Sequence, residues 1–130
     1  MKLLIVDDDK TTRKLLSLYL KSKGYEVVQA ENGLDAIEKL GTENINVVVT
    51  DMNMPYMDGI ELTKTLRSDS ILKNIPIIMV TTEADDDEKK KAFDAGVDDY
   101  LVKPTNADAI SGSIKRIVKK IFSGGDGNNA

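Results

Sequence analysis

Five short apolar runs recur along the chain, at 3–6, 26–29, 47–50, 77–80 and 100–102, and each is bounded by polar or turn residues. Runs of this length, rich in Val and Ile, predict strands buried on both faces of a parallel sheet. Helical segments lie between them. Residues 10–23 carry Leu15, Leu16, Tyr19 and Leu20, with Gly24 where a helix would end. Residues 33–40 follow Asn32, a good N-cap, and stop at Gly41. Residues 59–67 carry Leu62 and Leu66, and residues 84–95 stop at Gly96. In the last helix Ile110, Ile114, Ile117, Val118 and Ile121 share one face, with Lys115, Arg116, Lys119 and Lys120 on the other. Alternating strands and helices joined by right-handed crossovers give a (βα)5 three-layer α/β sandwich.

At 130 residues, the chain suits one domain and can bury a core without metal or disulfide staples. Residues 1–122 are expected to form that domain. The Gly- and Asn-rich stretch 123–130 reads as a flexible tail, whether a native end, a linker or a cloning remnant. The chain has no Cys, which excludes disulfides and thiolate chemistry, and no His, which removes Ser-His hydrolysis and the usual zinc sites. A net charge of -4 argues against nucleic acid as a partner. The opening apolar run stops at Asp7-Asp8-Asp9, too early for a signal peptide, and no run is long enough to span a membrane. A cytoplasmic monomer without membrane insertion is expected.

The chemistry lies where the strands end. The first ends in Asp7-Asp8-Asp9, the third in Thr50-Asp51, the fourth in Thr81-Thr82 and the fifth in Lys103-Pro104. In a doubly wound sheet the carboxyl ends of the strands meet at one edge, where ligands bind. The second strand ends in Ala30-Glu31 and offers less, which an edge position would explain. Carboxylates gathered there repel. At about 4 Å and an effective dielectric near 20, each contact costs roughly 4 kcal/mol. Lys103 or a divalent cation must offset this. An oxygen-only donor set suits a hard cation, and few protein ligands suit Mg²⁺.

Taken singly, each residue has a plainer reading. Asp7-Asp8-Asp9 could only cap a helix; here Asp9 is assigned the cap, and Asp7 and Asp8 the metal. Thr81 could be an ordinary strand end, Lys103 a surface lysine before a turn and Tyr100 plain core. Asp85-Asp86-Asp87-Glu88 followed by Lys89-Lys90-Lys91 complements a helix dipole. Met52, Met54 and Met57 read as packing residues or as the pocket mouth. The joint arrangement at the strand ends lifts the functional reading.

Four stretches, Val6-Asp7-Asp8-Asp9, 51–59 (Asp-Met-Asn-Met-Pro-Tyr-Met-Asp-Gly), Val80-Thr81-Thr82-Glu83-Ala84 and Tyr100-Leu101-Val102-Lys103-Pro104, resemble the response regulator receiver domains of two-component signalling. The resemblance covers residues 1 to about 122, and within the family it is to single-domain chemotaxis regulators. It implies a flavodoxin-like fold with strand order 2-1-3-4-5. It also implies that Asp51 is the phosphoacceptor, that Asp7, Asp8, Asp51 and the Asn53 carbonyl hold Mg²⁺, and that Thr81 and Lys103 bind the phosphoryl group. Thr81 and Tyr100 would form the switch, and Asn53 and Glu83 would tune dephosphorylation. The Lys103-Pro104 bond would be cis. The implied partners are a sensor histidine kinase and a downstream protein, with a flagellar motor switch protein as first candidate. The partner would be met at the face made by residues 84–95, strand 100–102 and the last helix. Such a chain is a signalling phosphoacceptor rather than an enzyme. Thr105 departs from the Phe found in many receivers, which bears on the output partner.

Rival readings share parts of this pattern. The chain could be a receiver cut from a multidomain transcriptional or other regulator. A flavodoxin-like carrier needs a phosphate-cradling loop after the first strand, and three aspartates there would repel phosphate. A phosphatase with an Asp nucleophile of the haloacid-dehalogenase type needs a carboxylate where Asn53 stands.

Overall fold

The computed structural model describes residues 1–125, with side chains to Ile121. Strands and helices alternate as β1 (Lys2–Val6), α1 (Lys10–Ser22), β2 (Glu26–Ala30), α2 (Gly33–Thr42), β3 (Val47–Thr50), α3 (Gly59–Ser68), β4 (Ile77–Thr81), α4 (Asp86–Ala95), β5 (Asp99–Val102) and α5 (Ala107–Gly125). The sheet is parallel throughout, in the order β2-β1-β3-β4-β5. Every residue of β3 and β4 is buried, while β2 lies at an edge and is mostly half-buried. The continuous apolar runs and the quieter second strand thus follow from position in the sheet.

The two-residue period of the strands divides the core. On one face Leu4, Val6, Val48 and Met79 meet Ala36 and Leu40 of α2, Leu62 and Leu66 of α3, and Ala92 of α4. On the other face Leu3, Ile5, Val47, Val49, Ile78 and Val80 meet Leu20 of α1 and Ile110 and Ile114 of α5. Layer order therefore follows from which strand residues point which way.

Four details differ from the sequence expectation. In α1, Leu16 and Leu20 pack inward, but Leu15 and Tyr19 are 47% and 49% exposed. The α2 helix runs past Gly41 to Thr42. The α4 helix starts at Asp86, because Asp85 is extended and its carboxylate accepts the Asp87 N–H. The α5 helix continues past residue 122 to Gly125, and the rest of the expected tail lies outside the described residues.

Gly41 supports a first prediction. A Cβ at this position would meet nothing within 4 Å, so the glycine only costs the helix conformational entropy. Gly41→Ala should stabilise the protein by about 0.5–1 kcal/mol. A urea unfolding midpoint at or below the parent value would show that this end of α2 is not helical in solution.

Candidate functional site

Backbone hydrogen bonds carry the ladder one residue beyond the strands, and this places the site. The Asp7 N–H donates to the Ala30 carbonyl at 3.1 Å, and the Asp51 N–H to the Val6 carbonyl at 2.9 Å. The Lys103 N–H donates to the Thr81 carbonyl at 2.7 Å. Asp7, Asp51, Thr81 and Lys103 therefore stand side by side at the carboxyl edge of the sheet. The Lys103-Pro104 bond is cis, as the resemblance implied.

The side chains converge. The Lys103 ammonium lies 2.9 Å from Asp7 Oδ2 and 3.5 Å from Asp51 Oδ2. Carboxylate oxygens of Asp7, Asp8 and Asp51 lie within 4.8 Å of one another. Asp7 is 4% exposed, Asp51 is half-buried and Asp8 is open to solvent. Asp7 Oδ1 accepts the Asp9 N–H at 2.9 Å, and Asp51 Oδ1 accepts the Met52 N–H at 2.8 Å. Asp9 turns away to cap α1, accepting from the Thr12 N–H at 2.9 Å and from the Thr12 hydroxyl. Asp9 thus takes the helix cap expected of it, and the Asp7 and Asp8 carboxylates stand with Asp51.

Burial raises the Asp51 carboxyl above its ordinary range, and the neighbouring Asp7 adds to this; Lys103 and the Met52 N–H only partly offset them. Burial works to lower the Lys103 ammonium, but its hydrogen bond to Asp7 and the charges of Asp51 and Asp7 outweigh it, and the net shift is upward. The lysine is thus held charged, and the acids still exceed it by two. Three carboxylates with no nitrogen or sulfur donor among them fit a hard divalent cation such as Mg²⁺.

Glu83 links the remaining candidates. Its N–H donates to Thr81 Oγ1 at 3.2 Å, and Thr81 is fully buried. Its carboxylate accepts from Asn53 Nδ2 at 3.4 Å. Its carbonyl accepts the Tyr100 hydroxyl at 2.7 Å. Tyr100 is only 6% exposed, and its ring centroid lies 6.4 Å from that of Phe93 on α4. Met52 is core, and Met54 and Met57 pack against it, so the methionines have the packing role.

The sequence reading missed two residues beside the site. Gly59 opens α3, and a Cβ there would lie 2.2 Å from the Asp51 carbonyl oxygen. Its signal was a glycine inside a helix start, where such a residue has no propensity reason to be. Arg13 donates from Nη1 to the Asp7 carbonyl at 2.7 Å. No sequence signal marks a backbone acceptor.

Residues 3–115 match the family model described as "Response regulator receiver domain". The chain is 50% identical over 106 residues to "Chemotaxis protein CheY1" of Helicobacter pylori, covering 80% of this chain and 86% of that one. It is 39% identical over 122 residues to "Chemotaxis protein CheY" of Pseudomonas aeruginosa, covering 93% and 98%. Among solved structures, the chemotaxis response regulator CheY4 of Vibrio cholerae superposes with a TM-score of 0.83 at 36% identity, covering 89% of this chain and 97% of that one.

Proposed function

The chain belongs to the response regulator receiver family, and from that premise we propose that Asp51 accepts a phosphoryl group from a sensor histidine kinase and that the chain signals in chemotaxis. The observation that carries this reading is the cluster of Asp7, Asp8 and Asp51 oxygens with the Lys103 ammonium at the strand ends. Members of this family signal through phosphorylation and are not enzymes in the ordinary sense. No helix among the described residues is long and apolar enough to cross a membrane.

In the transfer, an Asp51 carboxylate oxygen forms a bond to phosphorus as the bond from phosphorus to the donor imidazole nitrogen breaks. The imidazole leaves with the electron pair and takes a proton from solvent. A carboxylate approaching an anionic phosphoryl group needs its charge neutralised. Asp7, Asp8, Asp51 and the Asn53 carbonyl would hold Mg²⁺, which when bound supplies positive charge to the phosphoryl oxygens. Lys103 supplies a second positive charge, kept in place by its bond to Asp7. The hydrogen bond to Thr81 Oγ1 uses it as an acceptor, leaving its proton to donate to a phosphoryl oxygen. Asn53 and Glu83, bonded to each other beside the site, would govern water's approach and so the phosphoryl lifetime. Incubation with acetyl phosphate and Mg²⁺ should add one phosphoryl group by intact mass, and chelator should prevent it. Labelling that ignores chelator would reject the metal's part.

Output would use the face of α4, β5 and α5. Thr81 drawn toward a phosphoryl group gives up its bond to the Glu83 N–H; Tyr100 already stands inward with its hydroxyl on the Glu83 carbonyl, so phosphorylation would hold a form that the chain already visits. A partner that prefers the inward form tenfold gains about 1.4 kcal/mol, so a small bias suffices. The chemotaxis relatives support an output in chemotaxis, and a flagellar motor switch protein is the first candidate partner. A motor-switch peptide should bind more tightly when beryllofluoride mimics the aspartyl phosphate, and unchanged affinity would reject this partner.

A further inference from the structure

We propose that Arg13 is a positioning residue for the acidic pocket, holding the Asp7–Asp8 peptide so that the Asp8 carboxylate faces the cation. The inference rests on the reading of Asp7, Asp8 and Asp51 as a metal site. Asp7 is held on every side. Its N–H donates to the Ala30 carbonyl, its Oδ1 accepts from the Asp9 N–H and its Oδ2 accepts from Lys103. Its carbonyl, the acceptor half of the Asp7–Asp8 peptide, accepts from Arg13 Nη1 at 2.7 Å. Arg13 is half-buried, and its own N–H donates to the Asp9 carbonyl at 2.9 Å in the first turn of α1. The guanidinium is therefore delivered by a helix and reaches back six residues to the loop that precedes it. Asp8 is exposed, so the plane of the peptide before it does most to set its direction.

Charge and position predict opposite outcomes, which makes the role testable. Arg13 is a cation close to a cluster meant for a cation, its guanidinium on the carbonyl of Asp7 itself. If charge alone mattered, removing it would tighten metal binding. If it orients a ligand, removing it loosens binding, and partners that orient metal ligands typically change affinity by about 10–100-fold. A guanidinium committed to a main-chain oxygen of the loop, at 2.7 Å, points to the second role.

The test is Mn²⁺ binding to the full chain, followed by the paramagnetic resonance signal of free Mn²⁺, for the parent, Arg13→Met and Arg13→Lys. Arg13→Met should raise the dissociation constant at least about tenfold, and Arg13→Lys, which keeps the charge without the planar fork, should raise it less. In metal-free protein the Asp8 and Asp9 amide resonances should move in Arg13→Met while those of β3 and β4 stay, a readout that needs no bound metal. Unchanged or tighter Mn²⁺ binding in Arg13→Met, or unmoved Asp8 and Asp9 amides, would overturn the proposal. If Arg13→Met does not fold, the same two measurements on Arg13→Lys decide: parental affinity overturns it. A parent protein that binds no Mn²⁺ would instead overturn the reading of the pocket, and this inference with it.

Discussion

Asp51→Asn is expected to take up no phosphoryl group from acetyl phosphate and, in chelator at pH 7, to unfold at a higher temperature than the parent. The first effect is complete because the substitution removes the nucleophile. The second follows from the direction of the Asp51 shift. Burial first, then Asp7, raises this carboxyl in the folded state above its unfolded value, against the partial relief from Lys103. The folded protein therefore holds that proton more tightly than the unfolded chain does. Stability falls as pH rises from the unfolded value through the folded one. Asn resembles the neutral acid and does not carry this cost. The advantage of Asp51→Asn should shrink as pH falls through that window. Mg²⁺ should reverse the order, since the parent gains RT ln(1 + [L]/Kd) from the ion while the variant has lost one of three carboxylates. Thermal unfolding with chelator and with Mg²⁺ measures both. Equal labelling of the variant would sink the acceptor assignment; a lower midpoint in chelator would sink the electrostatic account.

That balance was partly legible in the sequence. Asp7, Asp51, Thr81 and Lys103 each directly end or follow an apolar run, and a parallel sheet takes all such positions to one edge. The repulsion among the acids, and so the need for positive charge, followed from that. The glycines were harder. Gly24 and Gly96 end their helices with φ of 96° and 119°, where only glycine is comfortable. Gly41 has the same letter but no positive φ, and its helix runs on to Thr42. The apolar residues of α1 hid a similar ambiguity. Leu16 and Leu20 are covered by the sheet, whereas Leu15 and Tyr19 form a partly open groove with Pro104 and Thr105. Helical period alone does not say how wide the covered stripe is. Arg13 and the Glu83 carbonyl were out of reach for another reason: both act through main-chain oxygens, which every residue has.

Gly59→Ala should lose stability and phosphorylation rate together, the opposite of Gly41→Ala. Gly59 is buried at the first position of α3, behind the N-cap Asp58, whose capping box with Glu61 fixes the start of the helix. Its N–H donates to the Met52 carbonyl at 2.8 Å. An added Cβ would lie 2.2 Å from the Asp51 carbonyl oxygen, 3.0 Å from Met52 Cα and 2.9 Å from Met79 Cε. The methionine end can swing aside, but the other two atoms are main chain and can move only with the loop. Overpacking of this kind costs about 1–3 kcal/mol. Relief has two directions. If α3 withdraws, Leu62 and Leu66 leave the core, and stability falls. If the end of β3 withdraws, Asp51 shifts relative to Asp7 and Lys103, and a misplacement of roughly 1 Å can slow transfer by about 10²-fold. The capping box holds α3, while the Met52 N–H ties the Asp51 carboxylate to the segment under pressure. The second direction should therefore contribute most. Urea unfolding and the rate of labelling by acetyl phosphate distinguish them. A variant that is less stable yet labels at the parental rate would mean that α3 yields and that Gly59 does not position Asp51.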